Sequence, residues 1–555
     1  MKEFDTIVIG SGAGGLAAAL CLAKAGQRVL VLEQHYVPGG WCHSFHLKGQ
    51  RFSPGVHYIG LVNAGDSTND LYRGLGIANE LVFFRMNKNA YEHCYIGEHK
   101  IDMPAGLNNL KESLSLRFPK EKQNIKKYVT LVDKVGKEIQ LIPKMRTFWD
   151  HVLIPFRTRN MGKYSLFSLK RVIDWHIKDP LLKSVLNIQC GDYGLPPFKA
   201  SFPVHCVLMN HYAEGGFYPM GGGGGIVKAM TNALKRNNAE VRVKQEVKRI
   251  VIENNKAVGV ELADGTILRA KQIISNADPA KTYLNMVGKE NLSAGLLKKL
   301  AKTKYSVTSL ILFLTLDMDV TAAGLDSGNI WSLKNEDIDD IYHDLSQNNP
   351  SEGTEFPAVF ISCTTLKDPV SFNGRYHSFE VVTFIEFDSF KCYDALDYHS
   401  PAYEENKNKI IAKFLNNVEK VIPGAKQHIV QAELGTPKTN EYFVQTTDGN
   451  VYGTEKSFTQ IGPFAFKTKS EIENLYLCGA STMAHGVTGA SYSGVETAAK
   501  ILNTTSEDLL KDKDNQELRV YDAEDSTEWP SWITQKIELR KKRFKDLKEE
   551  VEEED

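Results

Sequence analysis

Two groups of glycines mark places where backbone rather than side chain would do chemistry. Gly10-Ser11-Gly12-Ala13-Gly14-Gly15 follows the apolar run DTIVIG (residues 5–10) and leads into the Ala- and Leu-rich stretch 16–25. Glycine at Gly10 permits the tight turn out of a strand. At Gly12 it lets a pyrophosphate approach the backbone, and at Gly15 it lets a helix pack closely on a sheet. The N–H groups of Ala13 and Gly14 at the helix start, with the helix dipole behind them, favour phosphate. Gly26 stops the helix as a C′ residue. Arg28-Val-Leu-Val-Leu-Glu33 then reads as a second strand, ending in an acid placed to accept from ribose hydroxyls. Strand, glycine turn, helix, strand and acid in this order predict a dinucleotide-binding unit.

The residues that follow separate two dinucleotides. Gln34-His35-Tyr36-Val37-Pro38 leads to a second pair, Gly39-Gly40, and then to Trp41-Cys42-His43. A nicotinamide dinucleotide needs no second glycine pair here. FAD is longer, and Gly39 and Gly40, flanked by Gln34 and Trp41, would let a second loop pass against its pyrophosphate and ribityl chain.

At this point the chain resembles a known group of proteins. GSGAGGLAAAL, VLVLEQH, PGGWCHSF and PGVHYIG, within residues 6–60, resemble the FAD domain of the phytoene desaturase–carotenoid isomerase–retinol saturase flavoproteins. Glu33-Gln34-His35, Cys42-His43 and the stretch from Gly55 through His57 and Tyr58 to Gly60 are most similar to the retinol saturase branch. Two later stretches carry the same resemblance. Tyr218-Pro219-Met220-Gly221-Gly222 resembles a turn that re-enters the FAD domain beside flavin or substrate, and the five glycines Gly221–Gly225 would expose several N–H donors at the helix start that follows. Cys478-Gly479-Ala480, followed by Gly486-Val487-Thr488, resembles the closing motif, in which a helix N-terminus points at the flavin. That dipole favours an anionic reduced flavin. By the same resemblance Val247 holds the adenine through its main chain. Ala480 departs from the pattern, since related flavoproteins carry an acid there for the ribityl chain.

The resemblance implies an α/β protein: an FAD-binding Rossmann-type domain (GR2-like, of the amine oxidase and phytoene desaturase superfamily) with an inserted α+β substrate domain. The expected FAD domain is discontinuous (1–85, 218–300 and 465–505). The substrate domain covers 86–217 and 301–464, and a charged helical tail spans 506–555. Residues 108–118 and 120–141 read as helices, and Ser309–Leu316 as a buried strand. No chemical constellation is visible between 300 and 464.

The implied activity is FAD-dependent saturation of a carbon–carbon double bond in a retinoid- or carotenoid-like polyene lipid. A carotenoid cis–trans isomerase, a phytoene-type desaturase and a non-redox prenyl-lipid carrier of the Rab escort or GDP-dissociation-inhibitor type stay open beside it. Besides hydride, saturation needs a proton, and His57, Tyr58, His211, Tyr212 and Glu214 are the candidate donors. No second G-x-G-x-x-G appears, so NAD(P)H would serve as an external reductant, and the electron donor itself is not readable.

Composition bounds the rest. The 555 residues carry a formal net charge of -1 and are 24% charged, which offers no basic footprint for nucleic acid. The 8 cysteines are scattered without a C-x-x-C pair, so neither a disulfide scaffold nor a metal site is expected, and the compartment reads as cytoplasm-like. No signal peptide or membrane-spanning run is read. Peripheral membrane contact is expected through one of two stretches that mix bulky apolar and basic residues: 144–159, with Trp149 and Phe156, or the tail, with Trp529, Trp532, Ile533 and Ile537.

Overall fold

The structure is a computed structural model that describes residues 3–141, 153–154, 156–347, 349–393, 396–512 and 515–554. The first strand, Phe4–Ile9, lies between two parallel neighbours, Val29–Leu32 and the second half of Ile267–Ser275. Glu240–Arg242 extends the sheet beyond Val29–Leu32, and Leu475–Leu477 pairs with Ile267–Ser275 on the other side. Chain segments hundreds of residues apart thus build one sheet. The reason is visible in its strands: Val29–Leu32 is buried at every position, as a parallel strand covered on both faces must be. The first half of Ile267–Ser275 instead closes an antiparallel meander with Lys256–Leu262 and Val247–Glu253. The meander turns on Asn254-Asn255 and Asp264-Gly265, where Asn254, Asn255 and Gly265 take left-handed φ values of 49°, 61° and 84°.

Two helices meet over this sheet. Ala13–Lys24 is buried from Ala13 through Ala23. It packs on Gly486–Ile501, near the end of the chain. The approach is close because both sides are small: a Cβ added at Gly494 would stand 2.0 Å from the Gly14 carbonyl oxygen.

A second seven-stranded sheet lies beyond. Its order is Ile429–Gly435, Thr308–Leu316, His377–Ile385, Ala358–Cys363, Asn329–Leu333, Glu92–Ile96 and His99–Met103. All neighbours are antiparallel except Asn329–Leu333 with Glu92–Ile96. One face packs against helices that include Leu107–Arg117, Lys122–Leu141 and Phe202–His211, the other against Pro401–Val421.

The region 506–555 is more than a helical tail. Arg519–Asp522 pairs in parallel with Val82–Arg85, which also pairs with Phe217–Pro219. On the C-terminal helix, Ser531–Glu554, Ile533 (0% exposed) and Ile537 (8%) are packed with Phe84, Trp529 and Trp532. Ile533 and Ile537, part of the apolar stripe expected to meet lipid there, thus face the protein itself. In the other stretch, residues 142–152 and 155, Trp149 among them, lie outside the described residues. No helix among the described residues is long and apolar enough to cross a membrane.

Candidate functional site

A cavity of about 430 Å³ runs along the carboxyl ends of the parallel strands, where open α/β sheets bind ligands. Gly10, Gly12, Ala13, Gly14, Glu33, Gln34, Gly39, Gly40, Trp41, Val247, Gly479, Ala480, Gly486 and Val487 all line it. Its walls come from both glycine turns, the meander and the closing helix. The turns touch each other, for a Cβ on Gly40 would lie 3.3 Å from the Gly12 Cα, and Gly39 takes φ 129°, a conformation that side chains rarely adopt. Two helices begin at this cavity, and neither Gly12 nor His485 caps them with a side chain. Their first N–H groups are therefore open to an anion. A long, doubly anionic dinucleotide fits this lining, with its phosphates at the Gly12 turn and its ribityl and flavin end toward Gly40 and Gly486.

Glu33 does more than face a ribose. Its Oε2 accepts from the Ser11 N–H (2.9 Å) and hydroxyl (2.6 Å), and its Oε1 accepts from the His35 N–H (2.9 Å). The Ser11 oxygen in turn accepts from the Gly39 N–H at 2.9 Å. One carboxylate thus ties the first glycine turn to the second. Asn276, which was not anticipated, also lines the cavity. A Cβ on Gly12 would come within 2.5 Å of its Nδ2, and one on Gly14 within 2.8 Å of its Oδ1. Its position just beyond the strand Ile267–Ser275 was the available signal.

Several anticipated residues lie elsewhere. Gly15 faces the strand, where an added Cβ would sit 2.2 Å from the Gly10 carbonyl oxygen, while Thr488 reaches Thr68 at 3.2 Å. Gly221 and Gly222 are outside the cavity lining. The N–H groups expected to be free at this turn are taken: Gly221 donates to Asp368, Gly223 to Ser53 and Gly224 to Ser44. Tyr218 is buried with Lys367 Nζ 5.6 Å from its ring centroid. Among the proton-donor candidates, Glu214 is exposed at the surface. His211 Nε2 accepts from the Gly60 N–H at 2.9 Å, and burial lowers the His211 pKa to about 4, so the ring is neutral and its Nε2 carries no proton to give. His57 pairs through Nδ1 with Glu380 at 3.0 Å. Tyr58 stacks on Tyr212, with centroids 4.1 Å apart, and donates to Asp192 at 2.7 Å.

The groups that receive these residues come from strands and loops where no chemistry was legible. Across one face of the second sheet, Glu92 stands opposite Asn329 and Ser362 opposite Glu380. Lys367, fully buried, donates to Ser362 Oγ (2.7 Å), the His57 carbonyl (2.9 Å) and Asn329 Oδ1. Burial brings its ammonium down to about 8, opposed by Glu380 and Glu92. One step along the same face the row is apolar: Cys94, Trp331, Phe360, Val382 and Ile311 follow one another across the strands. This row continues into a small apolar cavity lined by Ile188, Gly191 and Tyr342 as well. At the boundary, burial raises Asp192 to about 7, and burial with the nearby Asp192 raises Glu92 to about 8. Among the described residues, neither Glu92 oxygen has a partner in ordinary hydrogen-bonding geometry. Side chains here can hold protons near neutral pH beside an apolar surface.

Comparisons with known proteins agree with this architecture. The chain is 28% identical over 527 residues to all-trans-retinol 13,14-reductase of Danio rerio, covering 90% of this chain and 86% of that protein. It is 28% identical over 519 residues to chloroplastic prolycopene isomerase 1 of an Oncidium hybrid cultivar, covering 90% and 84%. Among solved structures, an oxidoreductase from Methanosarcina mazei superposes with a TM-score of 0.60 at 18% identity, over 90% of this chain and 100% of that one. The flavin containing amine oxidoreductase family matches residues 13–502, so the chain belongs to that family and is an FAD-dependent oxidoreductase.

Proposed function

We propose that this protein saturates one carbon–carbon double bond of a polyene lipid of the retinoid or carotenoid class. The observation that carries this reading is the sheet face with two adjoining rows. The apolar row from Cys94 to Ile311 suits a hydrocarbon chain that offers few polar handles, and the polar row from Glu92 to Glu380 gives one region of that chain charged and proton-bearing neighbours. When bound, FAD supplies the two-electron chemistry, held by the glycine turns, Glu33, the backbone at Val247 and the N-terminus of the closing helix. The protein's own part is to position the alkene, exclude water and provide a proton. The names of the relatives support the substrate class but divide on the reaction, one a reductase and one an isomerase. Saturation consumes a proton, and the carboxyls of Asp192 and Glu92, which burial keeps protonated near neutral pH, are able to supply one. An external donor, NAD(P)H or another two-electron reductant, reloads the cofactor in this reading.

Substrate of this kind is collected from membranes. Phe156, Leu166, Trp175 and Phe198 are 78%, 85%, 51% and 48% exposed, and Arg171 and Lys199 lie over the rings of Trp175 and Phe198. Aromatic and basic side chains together suit the headgroup layer of an anionic bilayer.

The test is anaerobic incubation of the reduced enzyme with a panel of retinoids and linear polyenes, read by mass spectrometry. A product heavier by two hydrogens supports the proposal. Substrate of unchanged mass and altered geometry would move the assignment to isomerase.

A further inference from the structure

Resting on the reading above, we propose that Asp192 is the group that gives the alkene its proton, with Tyr58 as the positioning residue that holds the carboxyl and steadies the carboxylate left behind.

Asp192 is half-buried, between the buried Gly191 and Tyr193. Its chain neighbour Gly191 lines the apolar cavity beside Trp331 and Phe360. The Gly191 carbonyl accepts from the hydroxyl of Tyr452 at 2.9 Å, and Tyr452 lines the cofactor cavity. The Tyr452 ring lies 5.1 Å from that of His485, the residue that starts the closing helix, and His485 stands beside the Asp192 backbone. Asp192 therefore adjoins Gly191 of the apolar cavity and, through Gly191 and Tyr452, is linked to the cofactor cavity and to the start of the closing helix.

The chemistry follows from its partners. Tyr58 donates to Oδ2 at 2.7 Å, and Oδ1 has no hydrogen bond among the described residues. The titratable groups beside Asp192 among the described residues are Tyr58, Tyr91, Glu92, Cys190, Tyr212, Tyr342, Tyr452 and His485, whose pKa burial lowers to about 3, so none of them is a cation near neutral pH. With no positive partner and one acid close by, the carboxyl holds its proton into the neutral range. In the step proposed, one alkene carbon takes the hydride that a bound flavin would supply. The Asp192 O–H bond breaks as a C–H bond forms on the other carbon. The π pair and the hydride pair become the two new C–H bonds, and the carboxylate produced stays hydrogen-bonded to Tyr58 until water reprotonates it. The earlier candidates fit less well: His211 has no proton to give at Nε2, Glu214 is at the surface, and His57 and Tyr58 are engaged with Glu380 and Asp192.

The experiment compares wild type, Asp192→Asn and Tyr58→Phe as holoenzymes. Infrared titration should show a protonated-carboxyl band in wild type that disappears with a midpoint near the value of about 7 given above and is missing from Asp192→Asn. In Tyr58→Phe, which loses the hydrogen bond that favours the carboxylate, the midpoint should move to higher pH. Asp192→Asn should saturate a competent polyene about 10² to 10⁴ times more slowly, with flavin content and chemical reduction of the flavin unchanged. Should Asp192→Asn fail to fold, the direction of the Tyr58→Phe midpoint decides. Equal saturation rates in wild type and Asp192→Asn, or a midpoint indifferent to Tyr58, would overturn the assignment of Asp192 while leaving the proposed function standing. A wild type that leaves substrate mass unchanged would overturn the function, and the proton-donor role with it.

Discussion

Replacing Glu33 with alanine should loosen two loops even in protein that carries no flavin. In the structure the carboxylate accepts from the backbone N–H groups of Ser11 and His35, both at 2.9 Å, and from the Ser11 hydroxyl, which in turn orders Gly39. Hydrogen bonds to a charged acceptor contribute about 1.5–3 kcal/mol each, and the two backbone donors cannot turn elsewhere, which gives about 3–6 kcal/mol for rigid surroundings. Glu33 also lines the cavity, so water can reach the freed donors and should reduce the local loss to about 2–4 kcal/mol. Amide hydrogen exchange in cofactor-free protein reads this directly. Peptides covering the Ser11 turn and residues 33–40 should exchange about thirtyfold to a thousandfold faster in Glu33→Ala, while the second sheet stays unchanged. Glu33→Gln, which keeps one acceptor oxygen, should fall between. The reasoning fails if Glu33→Ala loses flavin yet its cofactor-free exchange matches wild type, because Glu33 would then act on the ribose alone.

Three further outcomes follow from the same contacts. Gly494→Ala places a Cβ 2.0 Å from the Gly14 carbonyl oxygen and 2.9 Å from the Ala18 nitrogen, both backbone atoms, so the two helices must separate. Flavin content and thermal stability should drop together by the ~1–3 kcal/mol of an overpacked contact or more, whereas Gly162→Ala, with open space around it, should behave as wild type. Burial raises the Asp192 pKa from 3.8 to about 7, so across that interval the folded protein binds a proton the unfolded chain has released, and stability falls as pH rises. Asp192→Asn should flatten that fall in thermal melts and be at least as stable as wild type at pH about 8; an identical pH profile would contradict it. Phe156→Glu with Trp175→Glu should abolish flotation with anionic vesicles at low salt, and a wild type that does not float would dispose of the membrane surface.

What the residues disclosed in advance was local. The Gly10–Gly15 turn, Glu33 and Gly39-Gly40 are legible because phosphate binding needs glycine at fixed short spacings, and the strand Thr308–Leu316 because every one of its residues is buried. Lys367, Glu380, Glu92 and Asp192 were not legible, since their chemistry exists only after distant strands come into register, Glu92 with Asn329 and Ser362 with Glu380. A signal was present in Phe379-Glu380-Val381-Val382, where one acid stands among bulky apolar residues of a strand and needs a buried partner. The five glycines at Gly221–Gly225 misled for the opposite reason. Their spacing suggests open N–H donors, but Ser44, Ser53 and Asp368, far away in sequence, satisfy three of them. The C-terminal region showed its helix in composition, while the strand Arg519–Asp522 depends on pairing with Val82–Arg85 and could not be seen beforehand.

The central claim is that hydrogen is added to the polyene, and a single-turnover stoichiometry tests it most directly. Enzyme whose flavin has been fully reduced is mixed anaerobically with a competent polyene, and flavin absorbance and product mass are followed together. The account predicts one saturated molecule, heavier by two hydrogens, for each flavin reoxidised. Product that accumulates beyond the flavin present, at unchanged mass and with the flavin still reduced, would contradict it.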